Sequence, residues 1–215
     1  MAPQAKDVDE YIKIQREAIL KNPDCGSSHY NLAIALMGKK KFDEATSELY
    51  TAIECSPSLA EAYVQLGAIS MHRGDIEDAL YHNKMAVKAR AGFAPGYANI
   101  GFFQLQKDDL NEEDVDEAIK NLQKAIVFNS KFVQAYTTLG NAYLLKGLVD
   151  ESIEANKKAI EIQPDFPVSY YNLGIGYMEK NDYKSAYENI KKAESLGYEI
   201  PEKIIMEIEE KNKQI

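Results

Sequence analysis

The sequence predicts an all-α protein of stacked helix pairs, and three observations support this fold class. Marker residues recur at intervals of 34, each half of the repeated unit has the apolar spacing of a helix, and residues typical of helix ends separate the halves. One helix pair cannot bury its apolar face alone, so neighbouring pairs must stack to form a continuous core. We therefore expect an α solenoid whose two ends carry polar caps.

Two independent sets of markers define the repeat. The aliphatic markers, spaced by 34, 34, 39 and 34, are Leu32, Leu66, Ile100, Leu139 and Leu173. The small markers, spaced by 34, 39, 34 and 34, are Ala45, Ala79, Ala118, Ser152 and Ala186. Both sets indicate five units, and together they place five additional residues inside the third unit.

Each unit divides into two helical halves. In the second unit, AEAYVQLGAISMHRG and DIEDALYHNKMAVKAR both carry apolar residues three and four apart. Gly74, Gly147 and Asn181 lie between halves, where a helix end favours a left-handed backbone. Pro57 and Pro164 close two units because proline cannot continue a helix. The repeated Gly or Ala allows two helices to approach closely, which offsets the roughly 1 kcal/mol that Gly costs inside a helix.

The pattern Tyr-x-x-Leu-Gly, followed by two Ala positions and Pro, resembles the tetratricopeptide repeat (TPR). The resemblance implies a right-handed α-α superhelix in which first helices line a concave groove and second helices face outward. We expect a single TPR solenoid domain over 1–215. Its parts are an N-terminal capping half-repeat at 1–25, full units at 26–59, 60–93, 94–132, 133–166 and 167–200, and a C-terminal capping helix at 201–215.

The additional residues coincide with the acidic stretch KDDLNEED at 107–114. An EF-hand calcium loop needs alternating carboxylates and a central Gly, and no frame of this stretch supplies them. Asn111 is a good helix N-cap, and Leu110 and Val115 match a hydrophobic staple around it. We therefore predict that the second helix of the third unit starts about one turn early and is exposed there. Whether the acidic residues also contact a basic partner stays open.

Composition excludes several classes of partner. The net charge of −9 disfavours nucleic acid and anionic membrane surfaces, which require basic residues. There is no apolar run of 18 residues, so no membrane span is expected. Cys25 and Cys55 are expected to be reduced thiols, which favours a cytoplasmic location.

No constellation of catalytic or metal-binding residues stands out. The three histidines are isolated, and His29 occupies the aromatic packing position of its unit. There is no Gly-rich phosphate loop, nucleophile elbow or His-Glu-x-x-His run. We therefore expect no enzyme activity, no cofactor and no metal.

The TPR resemblance assigns recurring positions of each first helix to the concave groove. One of these positions is apolar in all five units and includes three methionines, whose side chains adapt to varied apolar partners. The alternatives are that this position packs against the neighbouring unit or that a terminal helix folds into the groove. The expected partner-binding residues are Tyr30, Asn31, Ile34, Met37, Val64, Gln65, Met71, Asn99, Phe102, Leu105, Thr138, Asn141, Leu144, Tyr171, Asn172, Ile175 and Met178.

A row of amides runs along the expected groove and is interrupted at Thr138. It is similar to the Asn row with which sugar-transferring TPR proteins hold an extended peptide, although Asn is also common at this position in TPR units generally. The two-carboxylate clamp of chaperone-binding TPR proteins is absent, because its cationic positions here are Thr137, Glu202 and Met206. Capture of acidic C-terminal tails is therefore disfavoured.

The sequence predicts a cytoplasmic, non-catalytic adaptor or scaffold. Its partner would be a protein, bound in the groove as an extended peptide or an amphipathic helix. One alternative is an assembly scaffold that forms a homo-oligomer through the apolar C-terminal segment KIIMEIEE. Another is an accessory subunit of an enzyme complex.

Overall fold

The computed structural model describes residues 6–212, which form twelve α-helices and no strand. The helices are α1 (Val8–Lys21), α2 (Gly26–Gly38), α3 (Phe42–Cys55), α4 (Ala60–His72), α5 (Ile76–Ala89), α6 (Ala94–Gln104), α7 (Glu112–Phe128), α8 (Val133–Leu145), α9 (Val149–Ile162), α10 (Pro167–Glu179), α11 (Tyr183–Ser195) and α12 (Glu202–Asn212). The predicted all-α class is confirmed. The outer ends of both expected caps, 1–5 and 213–215, lie outside the described residues.

The five repeats appear as successive helix pairs. Their first helices are α2, α4, α6, α8 and α10, and their second helices are α3, α5, α7, α9 and α11. Helix α1 packs on α2, and α12 packs on α11, so both outer helices lie against the pair next to them. None of the helices in the described part is long and apolar enough to cross a bilayer.

The chain forms two compact units, unit 1 (Met1–Asn99) and unit 2 (Ile100–Ile215). In unit 1, Leu32, Leu49, Leu66 and Ile69 are almost fully buried, and Ile12 brings α1 onto this core. Leu32 and Leu66 are aliphatic markers of the repeat, so the marker positions form this core. The core of unit 1 is therefore continuous through its stacked pairs, as a solenoid requires.

Unit 2 has the same kind of core, and the terminal helix α12 packs on it. Ile190 of α11 and Ile208 of α12 are buried together beside Ala186. Ile204 of α12 packs against the same cluster and is half-buried. The apolar face of α12 is thus covered, at least at these positions, by its own unit.

Small residues set the distance between the two helices of a pair. A Cβ atom placed on Gly101 of α6 would lie 2.6 Å from Leu122 Cγ and 2.9 Å from the Ala118 carbonyl oxygen of α7. Gly174 has the same relation to Ile190 of α11, at 2.5 Å from its Cδ1. A side chain at Gly101 would press on the backbone of α7, and one at Gly174 would displace the Ile190 side chain. These contacts agree with the packing reason expected for the repeated Gly.

Left-handed residues end several first helices. Gly74, Gly147 and Asn181 have φ angles of 81°, 73° and 58°, as predicted. Lys40 also has a φ of 58° and was not predicted. A left-handed conformation costs a residue with a Cβ about 1 kcal/mol, so the turn at Lys40 forms because the packed helices on either side require it.

A ladder of ion pairs joins successive repeats inside each unit. In each case an Asp near the start of one helix meets a Lys or Arg that follows the first helix of the next repeat. The pairs are Asp9–Lys39, Asp43–Arg73, Asp116–Lys146 and Asp150–Lys180. These side chains lie at the surface, where water and salt screen their charges, so each pair contributes little to stability. The two partners of each pair have the same separation in sequence, so the pairs mark which residues of successive repeats lie next to each other.

The inserted segment lengthens α7, as predicted. Helix α7 begins at Glu112, three positions before Val115, the residue that matches the first residue of the other second helices. Asn111 Oδ1 accepts a hydrogen bond from Asp114 N at 3.1 Å, and Asp114 Oδ2 accepts one from Asn111 N at 3.3 Å. This reciprocal capping box holds the start of the helix.

Candidate functional site

A cavity of about 250 Å³ lies between the first helices of unit 2 and contains six of the predicted groove residues. These are Phe102, Leu105, Thr138, Asn141, Tyr171 and Asn172. Gln106, Thr137, Val168 and Tyr198 complete its lining. Helices α8 and α10 bring their residues together because these helices pack side by side.

The cavity is lined entirely by uncharged side chains. Thr138 is half-buried, and Asn141 and Gln106 are exposed at its rim, so hydroxyl and amide groups can donate and accept hydrogen bonds there. A charged ligand group would lose water here without meeting an opposite charge, which is unfavourable. The lining therefore suits an apolar side chain next to a peptide backbone.

Two aromatic groups shape the cavity. Phe102 is 40% exposed, and its ring packs edge-on against the buried Phe103 with centroids 5.5 Å apart. The rings of Tyr171 and Tyr198 lie 4.8 Å apart. Burial, and secondarily the nearby Tyr198, raises the pKa of Tyr171 above its usual value of 10.0. The Tyr171 hydroxyl is therefore protonated at neutral pH and can donate a hydrogen bond.

The predicted amide row is partly used inside the protein. Asn172 is 7% exposed, and its Nδ2 donates to the Thr137 carbonyl oxygen at 3.1 Å, which ties α10 to α8. In unit 1, Asn99 Nδ2 donates to Asn83 Oδ1 at 3.1 Å. Asn141 is the amide of the predicted set that is exposed in unit 2. The row is thus not a continuous line of free amides.

The apolar position that was expected to form an exposed strip is half-buried or buried in every unit. Its members are Met37, Met71, Leu105, Leu144 and Met178. Met37 packs on the core of unit 1, and Met178 packs on the cluster around Ile208. Leu105, which follows the end of α6 at Gln104, is 8% exposed and lines the cavity of unit 2. The burial of this position agrees with the alternative that it packs within the protein.

In unit 1, Tyr30 packs against the core and is half-buried. Burial, followed by the charge of Glu61, raises the pKa of Tyr30. Ile34 is 38% exposed, whereas Val64 is half-buried. Asn31 is also half-buried. This face is therefore less open than the cavity of unit 2.

A second cavity, of about 450 Å³, lies beside the C-terminal helix. It contains two further predicted residues, Ile175 and Met178, and α12 contributes Ile204 and Glu207. Ile208 of the same helix is fully buried in unit 2. The C-terminal helix consequently occupies part of the face that the repeat pattern assigned to a partner.

The histidines have structural surroundings. His29 is buried, with Nε2 donating to the Pro23 carbonyl oxygen at 2.9 Å and Nδ1 2.6 Å from Glu48 Oε2. Burial lowers the pKa of the buried His82 despite nearby carboxylates. Among residues 6–212, no group of three or more His, Cys, Asp or Glu side chains is arranged to hold a metal ion.

The two thiols differ in acidity. Cys25 precedes α2, and its Sγ lies 3.2 Å from Ser27 Oγ and accepts a hydrogen bond from Ser28 Oγ at 3.2 Å. These hydroxyls, Ser27 first, lower the pKa of Cys25 to about 7. Burial, followed by nearby acidic groups, raises the pKa of Cys55. Both cysteines are free.

The expected partner-binding residues lack four that line the cavity of unit 2, namely Gln106, Thr137, Val168 and Tyr198. Tyr198 lies in the connection between α11 and α12, where the repeat has no fixed pattern. Gln106 follows the early end of α6. Val168 is near the start of α10, and its apolar character was a usable signal.

Comparisons with known families and structures agree with this architecture. A model described as TPR repeat matches residues 111–147 and 140–181, and two described as tetratricopeptide repeat match 16–60 and 167–196. Together these matches cover more than half of the chain. A search of curated protein sequences gave no match.

Several solved structures share the fold. The MamA crystal structure is 28% identical, with a TM-score of 0.63, covering 86% of this chain and 98% of MamA. MamA from Desulfovibrio magneticus RS-1 is 22% identical, with a TM-score of 0.66 and coverage of 80% and 95%. YrrB, described as a TPR protein with an unusual peptide-binding site, is 20% identical, with a TM-score of 0.67 and coverage of 91% and 97%. The repeat spacing, the helix pairs and these matches together show that the chain belongs to the tetratricopeptide repeat family.

Proposed function

We propose that this protein is a non-catalytic interaction adaptor that binds a partner segment in the cavity of unit 2. The segment is an extended peptide or an amphipathic helix that inserts one large apolar side chain. The observation that carries this proposal is the uncharged cavity of about 250 Å³ with an exposed aromatic ring at its edge. Family membership supports a role in protein interaction in general.

Phe102 supplies much of the expected binding energy. Its side chain is 40% exposed, which leaves about 80 Å² of mainly apolar surface for a partner to cover. At about 25 cal/mol per Å², covering that surface contributes about 2 kcal/mol. Tyr171 and Val168 extend the apolar contact because both are half-buried in the same lining.

Polar groups at the rim would fix the backbone of the bound segment. Asn141 can both donate to and accept from a peptide group, and Thr138 and Gln106 flank it. Asn172 instead holds α8 and α10 together, so its contribution is to the shape of the cavity. Peptide binding is compatible with this fold, since YrrB is described as having a peptide-binding site.

Other groove residues extend this proposal to unit 1. There, Ile34 offers an exposed apolar surface, and the half-buried Tyr30 and Gln65 offer polar groups. We assign them a secondary role because Asn31 and Val64 are half-buried. The assembly-scaffold alternative is not proposed, since Ile208 of the C-terminal helix packs on its own unit. We place the adaptor in the cytoplasm because both cysteines are free thiols.

A displayed peptide library tests this function. Peptides selected on the full chain should carry a large apolar anchor, and Phe102→Asp should weaken their binding at least about tenfold. Val127→Asp is the matched control because Val127 is 79% exposed on α7 of the same unit. Circular dichroism checks that all variants stay folded. Selected peptides that bind the Phe102 variant as tightly as the parent would remove the cavity of unit 2 as the binding site.

A further inference from the structure

The inserted segment builds a second surface on unit 2. A cavity of about 370 Å³ lies between the start of α7 and the end of α8. Its lining is Leu110, Asn111, Glu112, Val115, Leu145 and Lys146. None of these residues lines the uncharged cavity, so the two surfaces are separate.

The floor of this second cavity is apolar. Val115 is buried, Leu110 is half-buried, and Leu145 is 52% exposed. An aliphatic side chain as exposed as Leu145, beside other apolar groups in a concave site, is suited to covering by a partner. The capping box at Asn111 holds one wall in place, so the cavity exists before any partner arrives.

The rim of the cavity keeps a net negative charge when its ion-paired residues are set aside. Lys107 pairs with Asp114 at 2.9 Å, and Lys146 pairs with Asp116. These pairs cancel in charge. The exposed carboxylates that remain on and beside the rim are those of Asp108, Asp109, Glu112 and Glu113.

The acidic groups are spread along the segment and do not converge on one point. Within the described residues they form no group suited to a metal ion. A distributed negative rim around an apolar floor is complementary to a chain that carries several positive charges around an apolar side chain. Long Lys and Arg side chains can also lay their apolar stems along such a surface.

We propose that this surface docks a basic segment of a partner protein. One aliphatic or aromatic side chain of that segment fills the cavity above Leu145, and flanking Lys or Arg residues meet the acidic rim. The five additional residues occur in one repeat only, so this surface distinguishes the third repeat from the others. The inference goes beyond the proposed function, which concerns the uncharged cavity.

Three labelled peptides test the proposal by fluorescence anisotropy with the full chain. The first is Arg-Lys-Leu-Lys-Arg, the second replaces its central Leu with Gly, and the third is Glu-Asp-Leu-Asp-Glu. We expect the first to bind, the second to bind at least about tenfold more weakly, and the third not to bind. Binding of the first should weaken between about 50 and 300 mM NaCl because exposed charges are screened.

Variants separate the apolar and charged contributions. Leu145→Ser should weaken binding about tenfold at all salt concentrations, and Glu112→Gln with Glu113→Gln should weaken it similarly and reduce its salt dependence. The control replaces two other exposed carboxylates of unit 2, Glu151→Gln with Glu188→Gln, and should leave binding unchanged.

Several results would overturn the proposal. They are no binding of the first peptide at about 1 mM, equal binding of the acidic peptide, or unchanged binding by the Leu145 variant. Loss of binding in Phe102→Asp would assign the peptide to the uncharged cavity and would equally overturn it. Because Phe102→Asp tests the proposed function with apolar peptides, failures of the two proposals are distinguishable.

Discussion

Substitution of Gly67 by Ala tests how closely the two helices of a repeat must approach. A Cβ at Gly67 of α4 would press on the amide nitrogen of Asn83 of α5 and lie 3.2 Å from the Ala79 carbonyl oxygen. Asn83 is fully buried. Its Nδ2 donates to the Ala79 carbonyl at 2.9 Å, and its Oδ1 accepts from Asn99 at 3.1 Å. The new methyl group must therefore displace a buried side chain that makes two hydrogen bonds.

The expected cost follows from three contributions. Inserting a methyl group into a packed interface costs about 1–3 kcal/mol. Leaving one buried amide group without its partner costs about 1–3 kcal/mol more. Ala is about 1 kcal/mol better than Gly inside a helix, which offsets part of this loss. We expect Gly67→Ala to lower the free energy of unfolding by about 2 kcal/mol or more.

Gly38→Ala is the matched control in the same unit. Gly38 is also helical, and a Cβ there would meet nothing within 4 Å. We expect it to leave stability unchanged or raise it by less than about 1 kcal/mol. Urea unfolding followed by circular dichroism measures both variants. Equal stability of the two variants would refute the close approach of α4 and α5 as the reason for the repeated small residue.

Two further predictions concern the termini of helices. Since the hydroxyl of Ser27 is the main cause that lowers the pKa of Cys25 to about 7, Cys25 is a thiolate above that pH. The rate of Cys25 alkylation by iodoacetamide should rise through pH 7 and then level off, whereas the rate for Cys55 should keep rising because its pKa is raised. Mass spectrometry of the two cysteine-containing peptides measures both rates. Parallel pH profiles of the two cysteines would contradict the prediction. Asn111→Ala should lower the free energy of unfolding by about 1 kcal/mol, because the helix cap is lost. In the same urea unfolding experiment, Asp109→Ala, at an exposed position, should leave the free energy of unfolding unchanged. Equal effects of the two substitutions would contradict the capping role of Asn111.

Much of the fold follows from the sequence because the same helix-pair pattern occurs in five units. The first helices begin at Gly26, Ala60, Ala94, Val133 and Pro167, which are the first residues of the repeats in the sequence. The cap at Asn111 was also predictable, since it depends on residues within one turn of each other. Local chemistry and periodicity are both present in a single sequence.

The candidate site was less predictable because its details depend on departures from the repeat. Leu105 was assigned to the groove by its position and does line the cavity of unit 2, but it is only 8% exposed. Asn172 has the residue type of a peptide-binding amide, yet a carbonyl of the neighbouring helix takes its hydrogen bond. Such outcomes depend on which helix lies nearby in three dimensions, and a periodic pattern states only which face a residue occupies.

The residues that distinguish this chain lie where the repeat is broken. The small, apolar and helix-ending residues of the repeat keep the pairs stacked. Tyr198, in the connection before α12, closes the uncharged cavity against Tyr171. The insertion supplies Leu110 and the acidic rim of the second cavity. Because both surfaces of unit 2 include residues outside the regular repeat, we expect partner specificity to change more with substitutions there than with exchange of exposed Val127, which lines neither cavity.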